Sequence, residues 1–196
     1  MNEILLIGAG GHARSCIDVI ESISEYKIIG LVEKNNTKEK NNLGYPIVGC
    51  DDDLPYLRDK YEHAVISLGQ IKTANHRKRI FNMLNDLEYN IPTIISPRAY
   101  ISKHSRIGEG AFVFNNVIIN SNVEIGKNCI INNKVLIEHD ANIGNHCHIA
   151  TGAIINGGVK IGHRTFIGSG VVTKQSIEIG SDCIVGAGEI IKKNIQ

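Results

Sequence analysis

The chain has 196 residues, with 21 Lys and Arg against 20 Asp and Glu, a formal net charge of +1. So even a balance offers no electrostatic attraction for nucleic acid or an anionic membrane surface. No run of about 18 apolar residues exists, and the opening MNEILLIGAGG lacks the basic region and cleavable apolar stretch of a secretory leader. A soluble, cytoplasmic protein is expected.

Residues 1–95 read as alternating strands and helices. Glu3 to Ile7 is an apolar strand that runs directly into Gly8-Ala9-Gly10-Gly11-His12, and Ala13 to Glu25 follows as an amphipathic helix with Cys16, Ile17, Ile20 and Ile23 on one face. Strand, glycine turn and helix together form a phosphate-binding unit: glycines allow close backbone approach, and the helix N-terminus offers amides with partial positive charge. A second strand, Ile28 to Val32, ends at Glu33, about 20 residues past the glycines, where Rossmann-type domains place a ribose-binding carboxylate. The motif is incomplete, because Ala13 stands where a third glycine is expected; alanine is a tolerated substitute there, so NAD stays open as a weakly signalled ligand. Lys34 to Asn42 reads as a surface loop, Ala64 to Gly69 as a third strand and Thr73 to Leu87 as a helix. Ile91 to Ile95 reads as a fourth strand, leading onward through Ser96-Pro97. Three or four parallel strands are few for a dinucleotide, so a mononucleotide-sized ligand such as a nucleotide sugar is expected.

From Ile101 onward an aliphatic residue recurs every six positions (Ile101, Ile107, Val113, Ile119 and so on to Ile191), with Thr173 the one break. A period of six is neither helical nor a plain alternation, so each unit is a short strand plus a corner. Glycine commonly follows the aliphatic residue, as at Gly108, Gly126 and Gly144, and is read as serving the angles of a tight corner. The fifth place of each hexad is small or β-branched, for example Ala111, Val117, Val123 and Cys129, giving a second inward column. Five cysteines are present; Cys129, Cys147 and Cys183 fall in that column and read as core filler rather than zinc ligands or disulfides.

Ile137-Glu138-His139-Asp140 sets a histidine in a turn between carboxylates. Histidine titrates near neutrality, and a carboxylate on one ring nitrogen fixes the tautomer so that the other can act as a base. On the residues alone, a solvated surface histidine remains the alternative.

The hexads resemble the hexapeptide-repeat, left-handed parallel β-helix of the acyltransferases. Taken with the opening IGAGGHA, the turn SLGQ, the linker IISPRAYIS and IEHD, essentially the whole chain resembles the NeuD/PglD family of bacterial sugar O- and N-acetyltransferases. The resemblance implies an α/β Rossmann-like domain over 1–95 that binds a nucleotide sugar, followed by an all-β left-handed β-helix over 96–196. It implies a homotrimer with active sites between subunits, acetyl-CoA as cosubstrate and no metal. It marks His139 as the catalytic base and Asp140 as its orienting partner. Gly10, Gly11, His12, Glu33, Gly69 and Asn132 become the substrate-binding residues, while His148 and Gly157, through its amide, lie toward the acetyl-CoA thioester. The bland readings are turn packing for His12, an outward wall residue for His148, an asparagine-rich turn for Asn132 and a plain corner for Gly157. His104, His146 and His163 read as exposed. Family members commonly continue to a Gly-Val-Pro-Ala-Lys segment that this chain lacks, which leaves the far end of the coenzyme unassigned.

The activity so implied is N-acetylation of a nucleotide-linked amino-dideoxy sugar in surface polysaccharide or glycan synthesis. O-acetylation of a sugar such as sialic acid and a non-catalytic β-helix binding protein are the alternatives. A zinc-dependent γ-type carbonic anhydrase is disfavoured, because His146-x-His148 alone is poor evidence for zinc and that class has no glycine-turn domain before its prism.

Overall fold

The computed structural model describes residues 1–34 and 41–196. Residues 35–40, most of the expected surface loop, lie outside the described residues. The chain divides into two compact units: 1–69 with 76–92, and 70–75 with 93–196.

In the first unit, β1 (Asn2–Ile7), β2 (Tyr26–Val32), β3 (Asn41–Asn42), β4 (Tyr45–Gly49) and β5 (His63–Ile66) form one sheet in the order β3-β4-β2-β1-β5. All neighbours are parallel except the β3–β4 hairpin. Its two-residue turn, Leu43-Gly44, has both φ angles positive (48° and 85°), the geometry that matches the twist of paired strands. Helix α1 (Gly11–Glu21) buries Ala13, Cys16, Ile17, Val19 and Ile20, a stripe at helical spacing, and ends earlier than its periodicity suggests because Ser22 caps Val19 O through its hydroxyl. A short α2 (Leu54–Arg58) and α3 (Asn75–Asp86) complete the set.

The strand expected at Ile91 to Ile95 does not belong to this sheet. Ile94–Ile95 pairs with Phe112–Val113 as the first strand of the repeat, and the sheet is extended on its other side, beyond β2, by β4 and β3. An apolar run of this length suits any buried strand, so its pattern carries no information about which sheet it joins.

The second unit is a left-handed parallel β-helix of two-residue strands in three walls. The first wall stacks Tyr100–Ile101, Ile118–Ile119, Leu136–Ile137, Ile154–Ile155, Val172–Thr173 and Ile190–Ile191. The second stacks Arg106–Ile107 through Glu178–Ile179, and the third Ile94–Ile95 through Ile184–Val185. Both inward columns are buried in one continuous core. Each fully buried aliphatic side chain contributes about 1.5–3 kcal/mol of transfer free energy. Thr173, the break in the column, is 1% exposed and accepts the Asn156 amide through its hydroxyl.

The corners are made differently from the sequence reading. The left-handed backbone falls three residues after the aliphatic position, at Asn116, Asn122, Asn128, Lys134, Asp140, His146 and their counterparts, with φ near 60°. Asn and Asp tolerate this region best among residues bearing a Cβ. The glycines directly after the aliphatic residue serve close approach instead: a Cβ on Gly162 would lie 2.4 Å from Ser181 N, and one on Gly126 2.7 Å from Asn145 N.

The cysteine column is also more than filler. Cys129 Sγ donates to Gly144 O (3.1 Å) and accepts Cys147 N, Cys147 Sγ donates to Gly162 O, and Thr165 repeats the pattern with Gly180 O and Cys183 N. All five cysteines are free thiols.

Candidate active site

Two groups of residues stand out, one in each unit. In the first unit, the glycine turn joins β1 to α1. Gly8 has φ 111°, and a Cβ there would meet Leu68 Cδ2 at 2.5 Å, so only glycine fits. Gly10 and Gly11 face open space instead, which leaves the turn accessible at the helix N-terminus. His12 is half-buried and packs on Gly69, where an added Cβ would make ordinary contact at 3.5 Å.

Glu33 reaches across from the end of β2: its Oε2 accepts Ala9 N at 2.6 Å, and Oε1 accepts Lys34 N. The carboxylate therefore holds the glycine turn at the same time as it lies where a ribose carboxylate is expected. Two residues outside the expected site, Asn42 and Ser67, brace the same turn, and a third, Arg77, braces the end of β5. Asn42, 5% exposed, donates Nδ2 to Ala9 O (2.6 Å) and Gly10 O, and its Oδ1 accepts from Arg14. Ser67 donates to Gly8 O at 2.6 Å, and the buried Arg77 guanidinium bridges Ile66 O and Leu68 O.

In the second unit, His139 and Asp140 stand at the corner between the first and second walls. His139 Nδ1 donates to Asp140 Oδ2 at 2.7 Å, and Asn122 Nδ2 donates to Asp140 Oδ1, also at 2.7 Å. Those two hydrogen bonds, that of Asn122 foremost, hold the Asp140 carboxyl below the usual carboxylate range. Gly157 lies one coil further along, beneath the ring: a Cβ there would sit 2.8 Å from both Cε1 and Nε2 of His139. Glu138, on the other flank of the histidine, accepts Asn120 Nδ2 at 2.8 Å. With Nδ1 committed as a donor, the neutral imidazole presents Nε2 as its acceptor, which is the arrangement a general base requires.

The structure thus brings His139, Asp140 and Gly157 together. Asn132 stands at the corner between the third and first walls, half-buried, with its Oδ1 on Asn133 N. His148 is on the third wall and only 6% exposed: its Nδ1 donates to the Gln70 carbonyl and its ring meets Phe166 edge-on at 5.2 Å. Gln70 in turn donates to His146 O. His104 and His163 are exposed as expected, whereas His146 is half-buried, with Nδ1 against Asn128 Nδ2 at 3.0 Å. Among the described residues no three His, Cys, Asp or Glu side chains converge on a position that could hold a metal, and no helix is long and apolar enough to cross a membrane.

Comparison with known proteins follows the same division. Residues 3–84 match the PglD N-terminal domain, residues 104–139 and 140–175 each match the six-repeat bacterial transferase hexapeptide, and 158–193 match the hexapeptide repeat of succinyl-transferase. Perosamine N-acetyltransferase from Caulobacter crescentus, solved with CoA and GDP-perosamine, superimposes with a TM-score of 0.93 at 31% identity, over 100% of this chain and 90% of that one. The chain belongs to the NeuD/PglD family of bacterial sugar acetyltransferases. A second relative in that family, the acetyltransferase domain of PglB from Neisseria gonorrhoeae in complex with acetyl coenzyme A, superimposes with a TM-score of 0.91 at 25% identity, over 100% of this chain and 93% of that one. Two of the Caulobacter structures are of variants in which a single histidine is replaced, by asparagine in one and alanine in the other. No curated protein sequence matches the chain.

Proposed function

We propose that this NeuD/PglD-family protein transfers the acetyl group of acetyl-CoA to the amino group of a nucleotide-linked amino-dideoxy sugar, in surface polysaccharide or glycan synthesis. The observation that carries the reading is the Asp140–His139 pair poised over Gly157. The amine nitrogen of the acceptor attacks the thioester carbonyl while His139 Nε2 removes a proton from it. Asp140, bonded to Nδ1, stabilises the imidazolium that results. The Gly157 amide is assigned to the oxyanion of the tetrahedral intermediate. Collapse of that intermediate breaks the carbon–sulfur bond, and the imidazolium returns its proton to the departing CoA thiolate. No acetyl-enzyme is needed, since holding both substrates together supplies the orientation.

In this reading residues 1–95 hold the nucleotide part of the acceptor, with Gly10, Gly11, His12, Glu33 and Gly69 around the glycine turn. Residues 96–196 carry out the transfer, with Asn132 toward the acceptor and His148 toward the coenzyme. The functional form is a homotrimer with shared sites. Support comes from the first wall, whose outward residues Tyr100, Ile118, Leu136, Ile154, Val172 and Ile190 form an apolar stripe, three of them 42–66% exposed, with the His139 corner at its edge. The outward residues of the second wall, by contrast, are Arg106, Glu124, Asn142, Lys160 and Glu178. A second copy seated on the apolar wall would make a groove beside His139.

Thiol release from acetyl-CoA, measured with GDP-perosamine and a panel of UDP-, dTDP- and GDP-linked amino sugars and free sialic acid, tests the reading. Release with one nucleotide amino sugar, and an N-acetylated product by mass spectrometry, is the expected result. Release with sialic acid alone would overturn it in favour of O-acetylation.

A further inference from the structure

We propose that Asn122 is a positioning residue for His139, acting through Asp140; the proposal rests on His139 being the base assigned above. Asn122 lies 18 residues, one coil, before Asp140 and occupies the same left-handed corner, with φ 59° against 61°. The two corners are tied by Asp140 N donating to Ser121 O at 3.1 Å, so the side chains stack in register. Each carboxylate oxygen of Asp140 then has its own donor, Asn122 Nδ2 on Oδ1 and His139 Nδ1 on Oδ2, both at 2.7 Å.

Asp140 is 55% exposed and His139 57%, so neither is held by packing. A carboxylate with one partner turns about its own bonds and exchanges that partner for water. A carboxylate held at both oxygens has its plane fixed, and the imidazole bonded to it inherits that plane. The consequence is at the far side of the ring, where Nε2 is kept above Gly157. Asn120 repeats the arrangement toward Glu138, again 18 residues on, so the carboxylates on both sides of His139 are braced from the preceding coil. The charged and titratable groups at this corner are Glu138, His139 and Asp140 and, in the coil before Asn122, Lys103 and His104; an uncharged amide at 122 adds a hydrogen bond without altering their net charge.

Two substitutions separate the role from a structural one. Asn122→Gly removes the amide and keeps the left-handed corner at little cost, while Asn122→Asp keeps the shape and replaces the donor by a second carboxylate. Both should lower kcat by about tenfold, a part of the 10²- to 10⁴-fold that a general base supplies, with KM for either substrate within about twofold. Asn122→Asp should also move the acid limb of the pH profile to higher pH, because an added negative charge beside the pair favours the imidazolium. In an Asp140→Ala background Asn122→Gly should change kcat by less than about twofold, since nothing remains for the amide to hold. Wild-type kcat and pH profile in both variants, beside an inactive His139→Ala, would overturn the positioning role alone, as would a loss in the Asp140→Ala background as large as in the native protein. Full activity in His139→Ala would instead overturn the base assignment, and this proposal with it.

Discussion

Gly157→Ala is a narrow test of the geometry around His139. The φ of Gly157 lies outside the left-handed region, so alanine fits its backbone, and the one cost is steric. The new methyl would lie 2.8 Å from Cε1 and Nε2 of His139, whereas ordinary contact begins near 3.4 Å; the difference requires the ring to retreat by about 0.6 Å or to swing aside. Since the His139 side chain is 57% exposed, it can do so without disturbing the core. Stability should therefore change little, within about 0.5 kcal/mol as for most surface substitutions. Catalysis should change much more, because a misplacement approaching 1 Å costs up to about 10²-fold. A 10- to 100-fold fall in kcat is expected by thiol release from acetyl-CoA at saturating acceptor, with the melting temperature held within a few degrees. Wild-type kcat in the alanine variant would refute the reasoning. A large drop in melting temperature would also count against it, by showing that Gly157 serves coil packing.

Other substitutions probe the β-helix. Gly162→Ala places a Cβ 2.4 Å from a backbone nitrogen of the next coil and should destabilise by about 3 kcal/mol, at the upper end of overpacking costs, whereas Gly152→Asn, at a left-handed corner open to solvent, should be nearly neutral by chemical denaturation. Equal effects would mean that the two glycine columns do the same job. Ile118→Glu, on the outward apolar stripe, should shift a trimer toward monomer in light scattering and lower activity with it, while Glu124→Lys on the polar wall should do neither. A wild-type protein that is monomeric at micromolar concentration would contradict the shared-site arrangement.

The β-helix was legible because its demand is local and repeated: a narrow prism takes aliphatic residues in one inward column, Thr173 excepted, and small or β-branched ones in the other, so the period shows in the letters. Its corners are less legible, because glycine has two uses. Gly126 and Gly162 exist for the backbone of the next coil, contacts 18 and 19 residues away, while asparagine and aspartate at 122, 128 and 140 carry the left-handed turns. In the first unit, β3 and β4 escaped notice because Asn41–Asn42 is polar and Leu43-Gly44 lacks the Asn-Gly or Asp-Gly signature of its turn. Asn42, Ser67 and Arg77 carry no motif, and their role is visible only where their side chains meet the carbonyls of the glycine turn and the end of β5. Asn122 did leave a trace: once the coil length is known to be 18, the position one coil before Asp140 is the place to look for its partner.

The central claim is that His139 is the base of an acetyl transfer, and the most direct measurement is the pH dependence of turnover in the wild type and in His139→Ala, with acetyl-CoA and the nucleotide amino sugar that the panel identifies. The account predicts that His139→Ala binds both substrates with near-native affinity, turns over roughly 10²- to 10⁴-fold more slowly, and loses the acid limb that the wild type shows. Native turnover and an unchanged acid limb in His139→Ala would contradict it and move the base to another residue.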